Sequence, residues 1–226
     1  MFLGHFGLAL AAKNVAPRTS LGTTVLATEF ADMLWPLFLI LGWEQVTIVP
    51  GITKMTPLNF VAYPWSHSLL MDLFWAMGFA AVYFVLRRCQ AGAWVIAAGV
   101  LSHWVLDWAS HRPDMPITPW STEKYGLGLW NSIGATVAVE LVMFFAGLLI
   151  YLSQTQAKDR TGQIALWSFV ALLLVIWLSA TFGPPPPSIN ALKYSTLALW
   201  LTVPWGYWID RHRRNIFEPL PFDDQS

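Results

Sequence analysis

A polar stretch within an apolar region, Ser102-His-Trp-Val-Leu-Asp-Trp-Ala-Ser-His111, contains the residues best suited to chemistry. Residues four apart lie on one face of an α-helix, so His103, Asp107 and His111 would present an imidazole, a carboxylate and a second imidazole in line. Nitrogen and oxygen donors in this arrangement suit a divalent cation. Pro113 follows closely and indicates that the helix ends near His111.

Another imidazole opens the preceding apolar segment, in the sequence Ser66-His67-Ser68. The segments containing His67 and His103 are joined by a short turn at residues 87–90, so we expect them to pack antiparallel with both imidazoles at similar depth. Ser66 and Ser68 are interpreted as helix caps and not as nucleophiles.

Carboxylates also recur inside apolar segments, where an unpaired charge costs at least about 2.5 kcal/mol. If the N-terminal segment and the first predicted span form a hairpin that turns near residue 16 or 17, His5 lies close to the carboxylates of Glu29 and Asp32. We expect Glu140 either to pair with His103 or His67 or to bond a neighbouring hydroxyl. The five acids are Glu29, Asp32, Asp72, Asp107 and Glu140.

Histidine and carboxylate ligands without a thiolate favour zinc, with manganese or iron as alternatives, because Cys89 is the only cysteine. A carboxylate that does not bind the ion is the candidate general base, with Glu29 the first choice and Asp72 the second. More than four ligands would permit two ions. The predicted metal ligands are His5, Asp32, His67, His103, Asp107 and His111.

The composition places these residues in a membrane protein. Hydrophobic residues make up 56% of the 226 residues, charged residues make up 12%, and the mean hydropathy is +0.51. A soluble domain has about twice that charged fraction. The net charge of zero gives no basic field for nucleic acid, so membrane lipids are the expected surroundings.

Apolar stretches of about 20 residues predict an all-α, polytopic helix bundle forming a single membrane domain over residues 1–226. A short N-terminal helix is expected to lie in the membrane without crossing it. Met1–Ala12 lacks the charged leader and cleavage site of a secretory signal peptide, so we expect it to be retained. The six predicted spans are 21–42, 65–86, 91–108, 126–152, 163–182 and 191–209.

The basic residues predict the orientation of the bundle. With both termini in the cytoplasm, nine lysines and arginines lie inside and four lie outside, as the positive-inside rule favours. The inside set is Lys13, Arg18, Arg87, Arg88, Lys158, Arg160, Arg211, Arg213 and Arg214, and the outside set is Lys54, Arg112, Lys124 and Lys193.

Over roughly residues 1–120 the chain resembles the bacterial membrane-bound, metal-dependent hydrolases described as LexA-binding and inner-membrane-associated. That family has an N-terminal histidine, a Pro-Asp-x-Asp, a Thr-His-Ser and a His-x-x-x-Asp. Here Glu29-Phe-Ala-Asp32 replaces the second motif and Ser66-His67-Ser68 the third. The resemblance implies a hydrolase of the bacterial inner membrane, with His5, Asp32, His67, His103 and Asp107 as metal ligands.

Three functions fit these patterns. The first is a metal-dependent hydrolase that acts on a membrane-associated ester or phosphoester, such as a lipid-like substrate. The second is a proton- or ion-coupled transporter in which Asp32, His67, Asp107 and Glu140 form a relay. The third is a scaffold with a structural metal. Neither paired repeats nor broken helices are evident, which favours the enzyme over the transporter.

Overall fold

The computed structural model describes residues 1–216, and this range is mainly helical. The N-terminal half contains α1 (Phe2–Ala11), α2 (Leu21–Thr28), α3 (Phe30–Leu41), α4 (Pro64–His67), α5 (Leu69–Arg87) and α6 (Gln90–Ser110). The C-terminal half contains α7 (Ile133–Gln154), α8 (Arg160–Phe182), α9 (Ile189–Thr196) and α10 (Thr202–Arg211). The C-terminal segment 217–226, predicted to be cytoplasmic, lies outside the described residues.

A few short strands accompany the helices, so the prediction of a mainly helical chain is confirmed while the strands are an addition to it. Three antiparallel pairs connect or close the helices: β1 (Gln45–Ile48) with β2 (Leu58–Ala62), β3 (Met115–Pro116) with β4 (Lys124–Tyr125), and β5 (Thr155–Ala157) with β6 (Arg213–Asn215). The segment between the first two predicted spans, which contains Pro50, Gly51 and Pro57, holds both strands of the first pair and the turn between them. All three pairs lie between predicted spans or after the last one.

The first predicted span is broken, contrary to the expectation of unbroken helices. Its two parts, α2 and α3, meet at 56° around Glu29. The carbonyl of Thr28, at the break, accepts a hydrogen bond of 2.7 Å from His103 Nδ1. The break therefore supplies an acceptor for one of the predicted ligands.

Three helices, α5, α7 and α8, are long and apolar enough to cross a membrane, or four spans form if the bent α2–α3 pair counts as one. The prediction of six spans is therefore not confirmed. Polar residues, including Ser102, His103 and Asp107, lie on α6. The predicted last span is divided into α9, a 3-10 segment (Leu197–Leu201) and α10.

Helix α1 forms the centre of the bundle, with Leu3, Phe6 and Leu10 fully buried. It packs against α2, as the predicted hairpin requires, and also against α7. Gly7 and Gly147 face each other across the α1–α7 contact, and a Cβ at either position would fall on the backbone of the other helix. This close approach of small residues is typical of helix packing in membranes and holds His5 in the interior.

Candidate metal centre

Four histidines converge on the carboxylate of Asp107. The distance from Asp107 Oδ1 to His5 Nε2 is 3.1 Å. From Asp107 Oδ2, the Nε2 atoms of His103, His111 and His67 lie at 3.4, 3.6 and 3.7 Å. All five side chains are buried. The bundle thus gathers four imidazoles around one carboxylate in its interior.

Asp32 supplies a second carboxylate to the same cluster. Its Oδ1 lies 3.3 Å from His67 Nε2 and 3.8 Å from His103 Nε2. Two groups have ligand atoms that all lie within 4.8 Å of one another, namely His5 with His103 and Asp107, and Asp32 with His67 and His103. The Asp32 side chain is 31% exposed whereas that of Asp107 is 3% exposed, so the cluster opens at Asp32.

In three of the four imidazoles the opposite nitrogen, Nδ1, is bound to an acceptor outside the cluster. His103 Nδ1 donates to the Thr28 carbonyl over 2.7 Å. His111 Nδ1 lies 2.9 Å from Asp114 Oδ1 and donates to it. These partners assign the proton to Nδ1 and leave an Nε2 lone pair directed at the carboxylates. His103 Nε2 has no hydrogen-bond partner among the described residues.

His67 is oriented through Ser66 by Glu44. The Ser66 hydroxyl donates to Glu44 Oε2 over 2.7 Å and accepts from His67 Nδ1 over 2.6 Å. The other Glu44 oxygen accepts the backbone N–H groups of Trp65 and Ser66 at 2.9 and 2.8 Å. Ser66 therefore bridges a carboxylate to an imidazole, which corrects its interpretation as a helix cap. Ser68 does cap α5, since its hydroxyl accepts from Met71 N.

Sequence reasoning did not identify Glu44. Gly42 adopts a left-handed conformation (φ 75°), which ends α3 and turns the chain so that Glu44 reaches the start of α4. Burial raises the pKa of the Glu44 carboxyl, and the hydrogen bonds from Ser66 and Trp65 oppose that rise. An acid just beyond a helix-ending glycine gives no local signal of a contact with residues 65 and 66.

His111 joins the cluster although α6 ends one residue earlier, at Ser110. Tyr63 donates to Asp114 Oδ1 over 2.9 Å, and Trp130 packs on the His111 ring with centroids 4.1 Å apart. Burial raises the pKa of Tyr63 well above its usual range, with the charge of Asp114 adding to the effect, so the phenol remains a donor. The loop after α6 thus fixes an imidazole that the helix alone would not position.

The two predicted general bases lie apart from these contacts. Glu29 and Asp72 are fully buried, and neither carboxylate has a hydrogen-bond partner among the described residues. Glu29 occupies the break one turn before Asp32, and Asp72 lies one turn into α5. The structure places neither within ion-pair distance of a histidine in the described part of the chain.

Within residues 1–216 Glu140 does not pair with His103 or His67, contrary to one expectation, and it does not bond a hydroxyl. Its Oε2 accepts the backbone N–H of Leu3 over 2.7 Å and so caps the first turn of α1. The amino group of Met1 contacts Asp107. Glu140 therefore holds the helix that carries His5.

The donor set fits a divalent cation. Two carboxylates can neutralise two positive charges at most, and the Met1 amino group already contacts Asp107, whereas four Nε2 atoms face these carboxylates. Nδ1 already donates a hydrogen bond in three of the four histidines, so Nε2 of these rings carries a lone pair. These lone pairs and the carboxylate oxygens repel each other unless a cation lies between them. Four nitrogens and two carboxylates suit zinc, manganese or iron.

Residues 3–183 match the model of a family described as YdjM inner membrane protein. No curated protein and no solved structure is significantly similar to the chain. The matched range includes every residue of the histidine–carboxylate cluster.

Proposed function

We propose that this chain, which belongs to the YdjM inner membrane protein family, is a metal-dependent hydrolase embedded in the membrane. The substrate class we propose is a membrane-associated ester or phosphoester. The observation that carries this proposal is the convergence of four Nε2 atoms on Asp107, with Nδ1 of three of these rings bound to an acceptor outside the cluster.

The proposed ligands would hold zinc, with manganese or iron as alternatives. Such a cation supplies Lewis-acid chemistry, since it polarises a scissile ester and lowers the pKa of water. The surrounding hydrogen-bond acceptors fix the orientation of the imidazole rings before a cation binds, which reduces the conformational entropy lost on binding. The set is His5, Asp32, His67, His103, Asp107 and His111.

The protein's own side chains divide the remaining tasks. Burial of Asp107 and the histidines excludes bulk water, while the partly exposed Asp32 gives the substrate access. Glu29, buried and without a hydrogen-bond partner among the described residues, would accept a proton from the attacking water at a carboxylate oxygen. Asp72 is the alternative proton acceptor.

The position of Asp32 on a helix pair that could span the membrane supports a lipid-like substrate. Asp32 lies on α3, part of the bent pair that has the length and apolarity of a span. A substrate that enters there would reside in or at the bilayer, which favours a lipid-like ester. The nine-to-four distribution of basic residues favours both termini in the cytoplasm, and we propose on this basis that the metal centre lies toward the outer half of the membrane.

Proton- or ion-coupled transport is the second candidate, and the break at Glu29 favours it. Broken helices near the middle of the membrane are common at transporter sites. The same histidines and carboxylates would then form a proton relay without a resident metal. The lack of an evident internal repeat in the sequence argues against this alternative.

Metal analysis and activity on one preparation test the proposal. The full chain, purified in detergent without chelators, should contain one or two equivalents of metal by mass spectrometry. It should hydrolyse at least one of a panel of chromogenic carboxylic esters, phosphomonoesters and phosphodiesters, and a chelator should abolish the activity. Proton flux into proteoliposomes without bound metal would instead support the relay, and bound metal without any hydrolysis would support a structural site.

Ser66→Ala should weaken metal binding by about 10- to 100-fold, because His67 loses the acceptor that orients its ring. Competition with a chromogenic chelator measures the affinity. Ser68→Ala is the matched control, since Ser68 caps α5 without bonding an imidazole, and it should leave the affinity within about twofold of wild type. Equal losses in both variants would contradict the proposed orienting role of Ser66.

A further inference from the structure

A second polar site lies at the far end of α1 from the histidine cluster. A cleft of about 280 Å³ opens where the turn after α1, the start of α2 and the β5–β6 pair meet. Five cationic side chains line it, namely Lys13, Arg18, Lys158, Arg213 and Arg214. At about 1.5 Å per residue, Lys13 is roughly 12 Å along α1 and its 3-10 extension from His5, so the two sites are separate.

The one carboxylate among the lining residues is already satisfied. Asp210 accepts hydrogen bonds from Lys13 Nζ at 3.0 Å, Leu21 N at 2.7 Å and Tyr151 Oη at 2.9 Å. Asp210 forms an ion pair with Lys13, and the described residues that line the cleft include no second carboxylate for the other four cations. The cleft carries a positive excess.

Arg213 is buried without a counterion within ion-pair distance among the described residues. Its Nε donates to Thr155 Oγ1 over 3.1 Å and its Nη2 to the Thr155 carbonyl over 2.9 Å, and the guanidinium lies 5.5 Å from the centre of the Tyr151 ring. A buried cation is costly unless paired, and Asp210 attracts Arg213 only from beyond ion-pair distance, so the charge of Arg213 is partly compensated. Arg213 thus favours an anion in the cleft.

We propose that this cleft binds a phosphate group, supplied either by the headgroup of an anionic phospholipid or by free phosphate. Basic pockets at the cytoplasmic ends of membrane helices bind phosphorylated headgroups through the same charges. The volume is at the small end of ligand pockets, which suits a headgroup and not a whole lipid. This inference is independent of the proposed hydrolase activity.

Binding by the full chain in detergent tests the inference. Phosphatidylglycerol, phosphatidylcholine and inorganic phosphate are titrated separately, and retained lipid is counted by native mass spectrometry while thermal unfolding reports phosphate. We expect phosphatidylglycerol to bind and phosphatidylcholine not to bind. Stabilisation by inorganic phosphate in the same concentration range would identify free phosphate as the source, whereas binding of phosphatidylglycerol without that stabilisation would identify the lipid headgroup. Binding of neither would overturn the proposal.

A paired set of variants locates the binding. Arg18→Gln with Arg214→Gln removes two exposed charges from the cleft and should weaken the binding of the anion by about 25-fold, since each basic residue contributes about fivefold. Arg87→Gln with Arg88→Asn removes two exposed charges elsewhere on the predicted cytoplasmic side, and asparagine tolerates the positive φ of residue 88. This control should bind like wild type. Equal losses in both variants, or no loss in either, would overturn the proposal.

Discussion

Asp107→Asn is expected to empty the metal centre and to abolish hydrolysis. The four Nε2 atoms lie within 3.1 to 3.7 Å of the Asp107 oxygens, so this carboxylate contacts every imidazole of the cluster. The asparagine side chain has the same shape as aspartate but carries no negative charge to bind a cation. Its amide N–H₂ group would donate hydrogen bonds to the imidazole lone pairs that are proposed to bind the metal. Loss of an orienting partner alone costs about 10- to 100-fold in metal affinity, so loss of the shared ligand should cost at least about 100-fold.

The measurement is metal content and chelator competition on variants that elute as single species in detergent. Glu140→Gln is the matched control because Glu140 is equally buried but accepts the Leu3 backbone N–H, which the glutamine oxygen can still accept. It should keep the metal and the activity. Full metal occupancy in Asp107→Asn would contradict the proposed centre, and loss in both variants would indicate a general effect on α1.

The local part of the centre could be predicted because helical spacing is a local property. His103 and Asp107 share a face of α6, and the turn after Arg87 requires α5 and α6 to pack side by side. The hairpin of α1 and α2 followed from the length of the N-terminal segment. These rules bring His5 and His67 to the same helix pair as His103 without any knowledge of the loops.

The remainder depended on contacts that no local pattern encodes. Glu44 reaches Ser66 only because Gly42 ends α3 and β1 pairs with β2 beyond it. His111 remains in the cluster after α6 has ended because Asp114 and Trp130 hold it from the following loop. Apolar composition likewise predicts a membrane segment, but it does not specify a break.

The break at Glu29 is another feature that local sequence patterns do not predict. Residues 21–42 form one continuous apolar stretch, which is why the sequence predicts a single span. The helix instead bends by 56°, and Thr28 offers its carbonyl to His103. A tertiary hydrogen bond to a buried imidazole thus accompanies the departure from regular helix, and hydropathy carries no information about it.

Glu29→Gln is expected to lower kcat by about 100- to 10,000-fold while leaving the metal content unchanged, as removal of a general base should. Glu29 is fully buried, its oxygens have no hydrogen-bond partner among the described residues, and it belongs to neither group of candidate ligands. A carboxylate kept without a partner in an apolar bundle is costly, so a role in proton transfer gives a physical reason for its presence.

The pH–rate profile separates this role from a structural one. Activity of the wild type should fall on the acidic side, where a general base becomes protonated, and the residual activity of Glu29→Gln should lack that limb. Asp72→Asn is the matched comparison, because Asp72 is equally buried and also without a partner in the described part of the chain. If Asp72→Asn loses the limb and Glu29→Gln retains it, Asp72 is the base. A fall in metal content in Glu29→Gln would show that Glu29 binds the cation or orients one of its ligands, and it would contradict a role as general base alone.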